Sequence, residues 1–480
     1  MRLPEHALAS KAARIPDMPY LGISLLLAWH YCLWFVPGST SALGLLSPDV
    51  TATWLTTLVC TGVFSLAGAA LLRRMPVHDE RLAGACAVIM AGATSIFCFA
   101  SPFAASPQLF CLASGALLGA ANAGFMLAWA DRYAAIRASF SMRAIAPVFA
   151  AVVFASMLAA LILPGTASAL LTATLPLVSF AVYLRNGKEA KGKEAPTLLP
   201  RETRAPMMHC VAALCATAAF LEITLSFVSG ITPHELRGMD AEGALLPWNT
   251  AVGIVIIGSV LLAAASRGRQ SAVYALIPFL VAFGIVALCL SIQGGPLCSL
   301  AAFSVCIGAC VMLEVLLLAF FGTLASKGYL SAPFSFALAM GLPRLAAALG
   351  DGYGIALRES GHGQTELVSA ICLAGICVLA FSLIAVLHQE RTIAFLTSET
   401  PQADDTERVC EAAARDFGLS PRESEILKLI ARGHAVDAVA KKLVVSPYTV
   451  QTHIQHIYRK MQVHKRSELM DYLNLHRDEN

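Results

Sequence analysis

Two groups of residues in this 480-residue chain have types and spacings that could do chemistry. The first is a run of cations. Lys441, Lys442, Arg459, Lys460, Lys465 and Arg466 fall between positions 441 and 466 with no Asp or Glu among them. That run suits polyanionic phosphate, because each Lys or Arg that neutralises a phosphate releases a counterion. Interleaved with it are Tyr448, Gln451, Thr452 and Gln455, whose i, i+3/i+4, i+7 spacing puts them on one helix face. Side chains of these types can bond base edges or backbone phosphates. The second group is sparse and sits in apolar surroundings: Glu222, Glu314 and Arg344, with Asn122, His30, Trp34 and Trp129 as weaker members. A charge at membrane depth is costly and faces a cavity or a partner. Two readings stay open for these residues. They line a ligand site near the midplane, or they form an internal pair such as Glu314 with Arg344.

The helices that must carry the first group are legible from their caps. Ser420-Pro421-Arg422-Glu423 is a capping box with Pro at the first helical position. Ile426, Leu427, Leu429 and Ile430 then make one apolar face of a helix ending at Gly433. A second short helix turns Val436, Val439, Ala440 and Leu443 inward, and Val444-Val445 make a turn. Ser446-Pro447 starts a third helix from Tyr448 to about Met461, with Val450, Ile454, Ile457 and Met461 inward. Lys465-Arg466 opens a fourth, through Leu469, Tyr472 and Leu473. A short helix, a tight turn and a longer helix with a polar outer face form the helix-turn-helix pattern of DNA-binding proteins.

These residues resemble the LuxR-type helix-turn-helix over about Leu419–Leu473. The entry pattern stands as Leu419-Ser420-Pro421-Arg422-Glu423-Ser424-Glu425-Ile426-Leu427, followed by Gly433 and by Ala440-Lys441-Lys442-Leu443. The recognition-helix pattern matches Ser446, Thr449, Val450 and His453, and the closing pattern matches Ile457, Lys460, Met461, Val463 and Arg466. The resemblance implies sequence-specific DNA binding through Lys441, Lys442, Ser446, Tyr448, Thr449, Gln451, Thr452, Gln455, Lys460, Lys465 and Arg466. Some of these cations are expected to pair with Glu423 or Glu425 instead. Ala435-Val436 replaces a usual polar cap, a loss of about 1 kcal/mol. Gln451 stands where a Lys is common, and Asp437 adds an acid near the approach of DNA. The expected intrinsic affinity is therefore modest and raised by a homodimer on a twofold operator.

Composition fixes the setting. Hydrophobic residues make up 57% of the chain and charged residues 14%, against about 25% charged in soluble domains, and mean hydropathy is +0.68. Everything after His388 reads as a soluble protein, so the chain divides into one unit in lipid and one in water. A bilayer core of about 30 Å needs roughly 20 apolar helical residues. Twelve segments meet that demand: 19–37, 50–72, 82–100, 107–130, 143–163, 167–184, 207–229, 248–266, 272–291, 297–325, 329–350 and 365–387. Basic loops at Arg73/Arg74/Arg81, Arg132/Arg137, Arg185–Arg204, Arg267/Arg269 and Lys327 alternate with uncharged or acidic ones, among them Thr232–Leu246 and Asp351–Glu366. Lys and Arg mark the cytoplasmic side, which puts both termini in the cytoplasm of a multi-pass cell-membrane protein. That parity requires the first segment to be retained rather than cleaved as a signal peptide.

Six segments, a long basic loop at Arg185–Pro206, then six more resemble the major facilitator superfamily over about Met18–Leu387, whose halves are related by an axis along the membrane normal. The expected fold class is all-α: a twelve-helix membrane domain at 1–387 (halves 18–184 and 207–387), a linker at 388–417, and a four-helix DNA-binding domain at 418–480. Of the fourteen cysteines, those in apolar runs read as small hydrophobes. Cys306/Cys310 and Cys372/Cys377 lack metal-site spacing, so neither a metal nor a cofactor is expected. Two His, His453 and His456, make a poor metal site. With no phosphate-binding Gly loop or nucleophile motif, the chain reads as a regulator rather than an enzyme: a small, fairly apolar ligand binds the membrane domain and controls DNA binding. The rivals are a transporter with an autoregulatory tail and a tail that binds protein instead of DNA.

Overall fold

The structure is a computed structural model that describes residues 20–36, 50–71, 80–100, 103–136, 142–190, 198–199, 201–232, 272–362, 366–388, 403–431, 436–464, 468–469 and 472–473. The chain separates into two compact units, 1–398 and 399–480. The expected segment 248–266 lies outside the described residues, as do Arg73, Arg74, Arg137, Arg267, Arg269, Ala435, Lys465 and Arg466.

Eleven of the twelve expected segments fall on described helices of the first unit. They are α1 (Leu21–Phe35), α2 (Val50–Leu71), α3 (Glu80–Ala100), α4 (Pro107–Ile136), α5 (Met142–Ile162), α6 (Gly165–Ala190), α7 (Arg201–Ile231), α8 (Ala272–Gln293) and α9 (Pro296–Ser326). Next come α10 (Ala332–Phe336), a π turn (Ala337–Gly341) and α11 (Leu342–Leu357), which together make one span, and then α12 (Glu366–Leu387). Eight described helices are long and apolar enough to cross a membrane; Leu21–Phe35, Pro147–Ile162 and Ile277–Gln293 are shorter apolar stretches. Helices suit this setting because each satisfies its own backbone groups.

Burial sorts the helices by position. The apolar window of α9 is 89% buried, so α9 runs through the interior, whereas α12 is 17% buried and turns most of its surface outward. Phe381, Ile384, Leu349 and Leu297 are exposed, an apolar outer surface of the kind a lipid-facing helix presents. Within the first half α1 packs on α5 and α6, α2 along α4, and α3 on α4 and α6; in the second half α7 packs along α11 and α9. Contacts of α2 with α11 and with the π turn join the halves.

The α7–α11 seam is set by glycine. A Cβ on Gly354 would lie 2.6 Å from the Phe227 carbonyl oxygen, and one on Gly230 would lie 2.6 Å from that of Asp351. Small residues at this spacing let membrane helices approach at backbone distance. The seam fixes Glu222 on α7 against Arg344 and Asp351 on α11.

Two expected loop charges belong inside helices. Arg132, expected in a basic loop, lies within α4; it is buried, stands 4.2 Å over the Tyr183 ring and pairs with Glu80 at 3.4 Å. Asp351, expected to begin an acidic loop, is buried within α11. Hydropathy ends the segment at an acid; helix geometry carries it on, because the acid has a place to go.

The second unit contains α13 (Ala403–Asp416), α14 (Pro421–Ala431), α15 (Val436–Leu443) and α16 (Pro447–Met461). Its core is Ile426, Leu427, Val439, Val450 and Ile457, all fully buried, closed by Leu469 and Leu473. Expected within the linker 388–417, α13 adds Val409, Cys410 and Ala413 to the same core, and Lys428 binds Glu411 at 2.8 Å to tie α14 to α13.

Candidate functional site

In the second unit the caps form as their residues dictate. The Ser420 N–H donates to Glu423 Oε2 at 2.7 Å and the Glu423 N–H to Ser420 Oγ at 3.3 Å, the reciprocal pair of a capping box. Ser446 Oγ accepts from the Thr449 N–H at 3.0 Å, with Pro447 opening α16. The turn between α15 and α16 closes through the Val445 N–H to the Ala440 carbonyl at 3.0 Å, with Val444 at φ 54°. Arg422 spans the motif: it donates to Glu425 at 2.7 Å and to the Leu443 carbonyl at 3.0 Å, so it holds the end of α15 against α14.

This frame turns one face of α16 outward. Tyr448, Gln451, Thr452, Gln455 and Arg459 are exposed, while Val450, Ile457 and Met461 are buried beneath them. Arg459 extends the expected stripe by one turn; it belonged to the cationic run but not to the expected contact set. Ser446 and Thr449 are exposed yet occupied, since their hydroxyls bond each other at 2.8 Å. They position the start of the helix. Lys442 is exposed on α15; the Lys441 side chain lies outside the described residues.

Lys460 has a different role. Its Nζ lies 2.7 Å from Glu423 Oε2 and donates to the Gly418 carbonyl at 3.0 Å. Glu423 is 4% exposed. Burial pushes its carboxyl up, but the hydrogen bonds from Lys460 and from the Ser420 N–H outweigh that and bring it down to about 2. The end of the recognition helix is thus locked to the start of α14 by an ion pair, the alternative the resemblance allowed.

In the first unit the expected charges meet. Arg344 on α11 forms an ion pair with Glu314 on α9, and Tyr31 on α1 donates to the same carboxylate at 2.8 Å. The internal pair is therefore formed, and it does not exhaust the cluster. A cavity of about 30 Å³ opens beside it, room for about two waters. Glu222, Arg344 and Asp351 line it together with His30, Tyr31 and Trp54. Trp54 Nε1 donates to Asp351 at 2.9 Å. Glu222 is 2% exposed, and among the described residues its Oε2 has no hydrogen-bond partner; nor has His30 Nδ1. Aromatic rings cluster at the site: the His30 and Trp34 rings lie 5.3 and 5.4 Å from that of Trp54.

Asn122 is buried on α4 and does not line this cavity. Trp129 is structural: its Nε1 bonds Ser179 at 3.1 Å and its ring stacks on Tyr133. Asp351, Tyr31 and Trp54 are the lining groups that sequence reasoning missed. An aromatic-rich α1 was the one available signal.

Known proteins resemble the two units separately. Solved structures similar to the chain include the nucleoside transporter NupG (TM-score 0.48, 13% identity, 77% of this chain and 99% of that one). A second is the major facilitator superfamily transporter FucP in its outward conformation (TM-score 0.44, 15% identity, the same coverage). Curated relatives match over short stretches of the chain. A Mycobacterium tuberculosis protein named as an HTH-type transcriptional regulator is 42% identical over 59 residues, 12% of this chain and 7% of its own length. The oxygen regulatory protein NreC of Staphylococcus carnosus is 46% identical over 54 residues, 11% of this chain and 25% of its own. The chain thus spans a quarter or less of these relatives. The family described as bacterial regulatory proteins, luxR family, matches residues 418–473, so the frame that presents Tyr448, Gln451, Thr452 and Gln455 is a LuxR-type helix-turn-helix.

Proposed function

We propose that this protein is a one-component transcriptional regulator anchored in the cell membrane, with no enzymatic step of its own. The observation that carries the reading is a complete helix-turn-helix, its recognition face outward, in one chain with a polytopic membrane unit that encloses a charged cavity. DNA is the partner of the second unit, through Tyr448, Gln451, Thr452 and Gln455 for bases and through Lys441, Lys442, Lys465 and Arg466 for phosphates. Ser446 and Thr449 set the helix that carries the readers. A small ligand is the partner of the first unit, at Glu222, Glu314, Arg344 and Asp351. A ligand that binds one conformation of the membrane unit better than another shifts the balance between them, and the helix-turn-helix domains read that shift through their pairing as a homodimer. The alternation of basic loops supports cytoplasmic termini, where the DNA is.

Fragment 403–480 tests the DNA half. It is expected to prefer operator DNA next to its own gene over random sequence, with log K falling linearly as log salt rises. Binding with no sequence preference at any salt rejects the reading. A second reading, a transporter with an autoregulatory tail, is favoured by the same cavity, since buried ionisable groups also mark ion and substrate paths. Substrate flux in proteoliposomes that survives deletion of 400–480 would establish it.

A further inference from the structure

The charge balance of the cavity points to a ligand class. Three acids, Glu222, Glu314 and Asp351, meet one lining guanidinium, Arg344, and a second, Arg358, that interacts electrostatically with Asp351. Arg344 and the Tyr31 hydroxyl are both directed at Glu314, which is thereby neutralised. Arg358, two turns beyond Asp351, donates to the carbonyls of Gly230 and Thr232 at 2.8 and 2.9 Å, where it caps α7. Glu222 keeps an oxygen with no partner among the described residues, almost fully buried and lining the void. His30 Nδ1, which also lines the void, likewise has no partner among the described residues. Buried polar groups are normally satisfied, and buried carboxylates are normally paired with a cation. A wall of aromatic rings stands beside these acids, and ring faces attract ammonium groups.

We propose that the ligand of this cavity is an organic ammonium ion, its charged head on Glu222 and Asp351 and its apolar body against Trp54, Phe35 and His30. This deepens the reading of the membrane unit as a ligand sensor and rests on it. The charge selects against carboxylates and phosphates, which would face Glu222 and Asp351 with Arg344 already held by Glu314 and Arg358 by the end of α7. A ring-sized body exceeds the roughly two waters that the void holds as it stands, so binding would select a wider conformation from the ensemble.

Three probes with one body and three charges test this on the full-length chain in lipid nanodiscs: benzylammonium, benzyl alcohol and benzoate. Tryptophan emission reports binding, because Trp54 lines the cavity. Benzylammonium is expected to give a saturable change, with the alcohol and the benzoate weaker by about tenfold or more, the scale of one charge-assisted contact. Glu222→Gln is expected to remove that preference, as is Asp351→Asn. The proposal is overturned if benzoate or benzyl alcohol binds as well as benzylammonium, if benzylammonium gives no saturable change, or if both variants keep the wild-type ranking. Should a variant fail to fold, the ranking on the wild-type chain decides alone. DNA binding by fragment 403–480 is measured independently, so failure here leaves the regulator reading separately testable.

Discussion

The Lys460–Glu423 pair makes a prediction that separates two roles for one lysine. In Lys460→Met of fragment 403–480, Glu423 remains buried and loses the cation 2.7 Å from its Oε2. In the wild type that carboxyl is held at about 2 against an ordinary 4.5, against the opposing push of burial, by Lys460 and by the Ser420 N–H. The whole depression corresponds to about 3 kcal/mol at 1.36 kcal/mol per unit. Lys460 supplies part of it, and its side chain is 37% exposed, so solvent screening leaves an expected loss of about 1–2 kcal/mol at neutral pH. For a domain of this size that lowers the Tm by about 5–15 °C, read by circular dichroism. The pH dependence has a definite sign. A carboxyl whose folded pKa is depressed contributes its full stabilisation above its unfolded pKa and loses it as pH falls through the folded value. The gap between wild type and variant is therefore constant from pH 7 to about 5 and closes between about 4.5 and 2. Measured well below the Tm, the slope of log K against log salt for DNA is expected to stay unchanged. The reasoning is refuted if Lys460→Met leaves the Tm where it was and lowers the salt slope by about one, the signature of a lost phosphate contact.

Three further outcomes follow from the same geometry. Gln451→Lys, which restores a cation on the exposed stripe of α16, is expected to steepen the salt slope by about 0.9 and to tighten DNA binding at low salt; a flat response places residue 451 off the backbone. Val444 sits at φ 54° and is 91% exposed, a left-handed conformation that costs a β-branched residue about 1–2 kcal/mol. Val444→Gly is thus expected to raise the Tm of the fragment modestly, and a lower Tm would contradict the strain. In the membrane unit, Gly354→Leu places side-chain atoms against the Phe227 backbone and is expected to cost about 1–3 kcal/mol or more through overpacking, read as a lower Tm in detergent. Gly352→Ala, where a Cβ meets nothing within 4 Å, is expected to leave that Tm unchanged.

The sequence by itself determined the elements whose rules are local. Caps such as Ser420 with Glu423 and Ser446 with Thr449 are satisfied within four residues, so their pattern is visible without tertiary context. The apolar spans are equally local, because a helix in lipid must satisfy its own backbone along its own length. That is why the long apolar runs fall on helices and the inward residues of α16 are those its periodicity names. Tertiary structure decided what required partners far apart in the chain. Arg344 meets Glu314, Tyr31 meets the same acid across 283 positions, and Trp54 meets Asp351 across 297. Asp351 was read as a loop residue because hydropathy scores a residue without its distant partners, here the Trp54 indole N–H that donates to it. Lys460 is the converse case: a cation that composition assigns to phosphate is instead bound to Glu423, because α14 and α16 cross with the two facing. The sequence lists which groups carry charge, and only packing decides which of them meet each other.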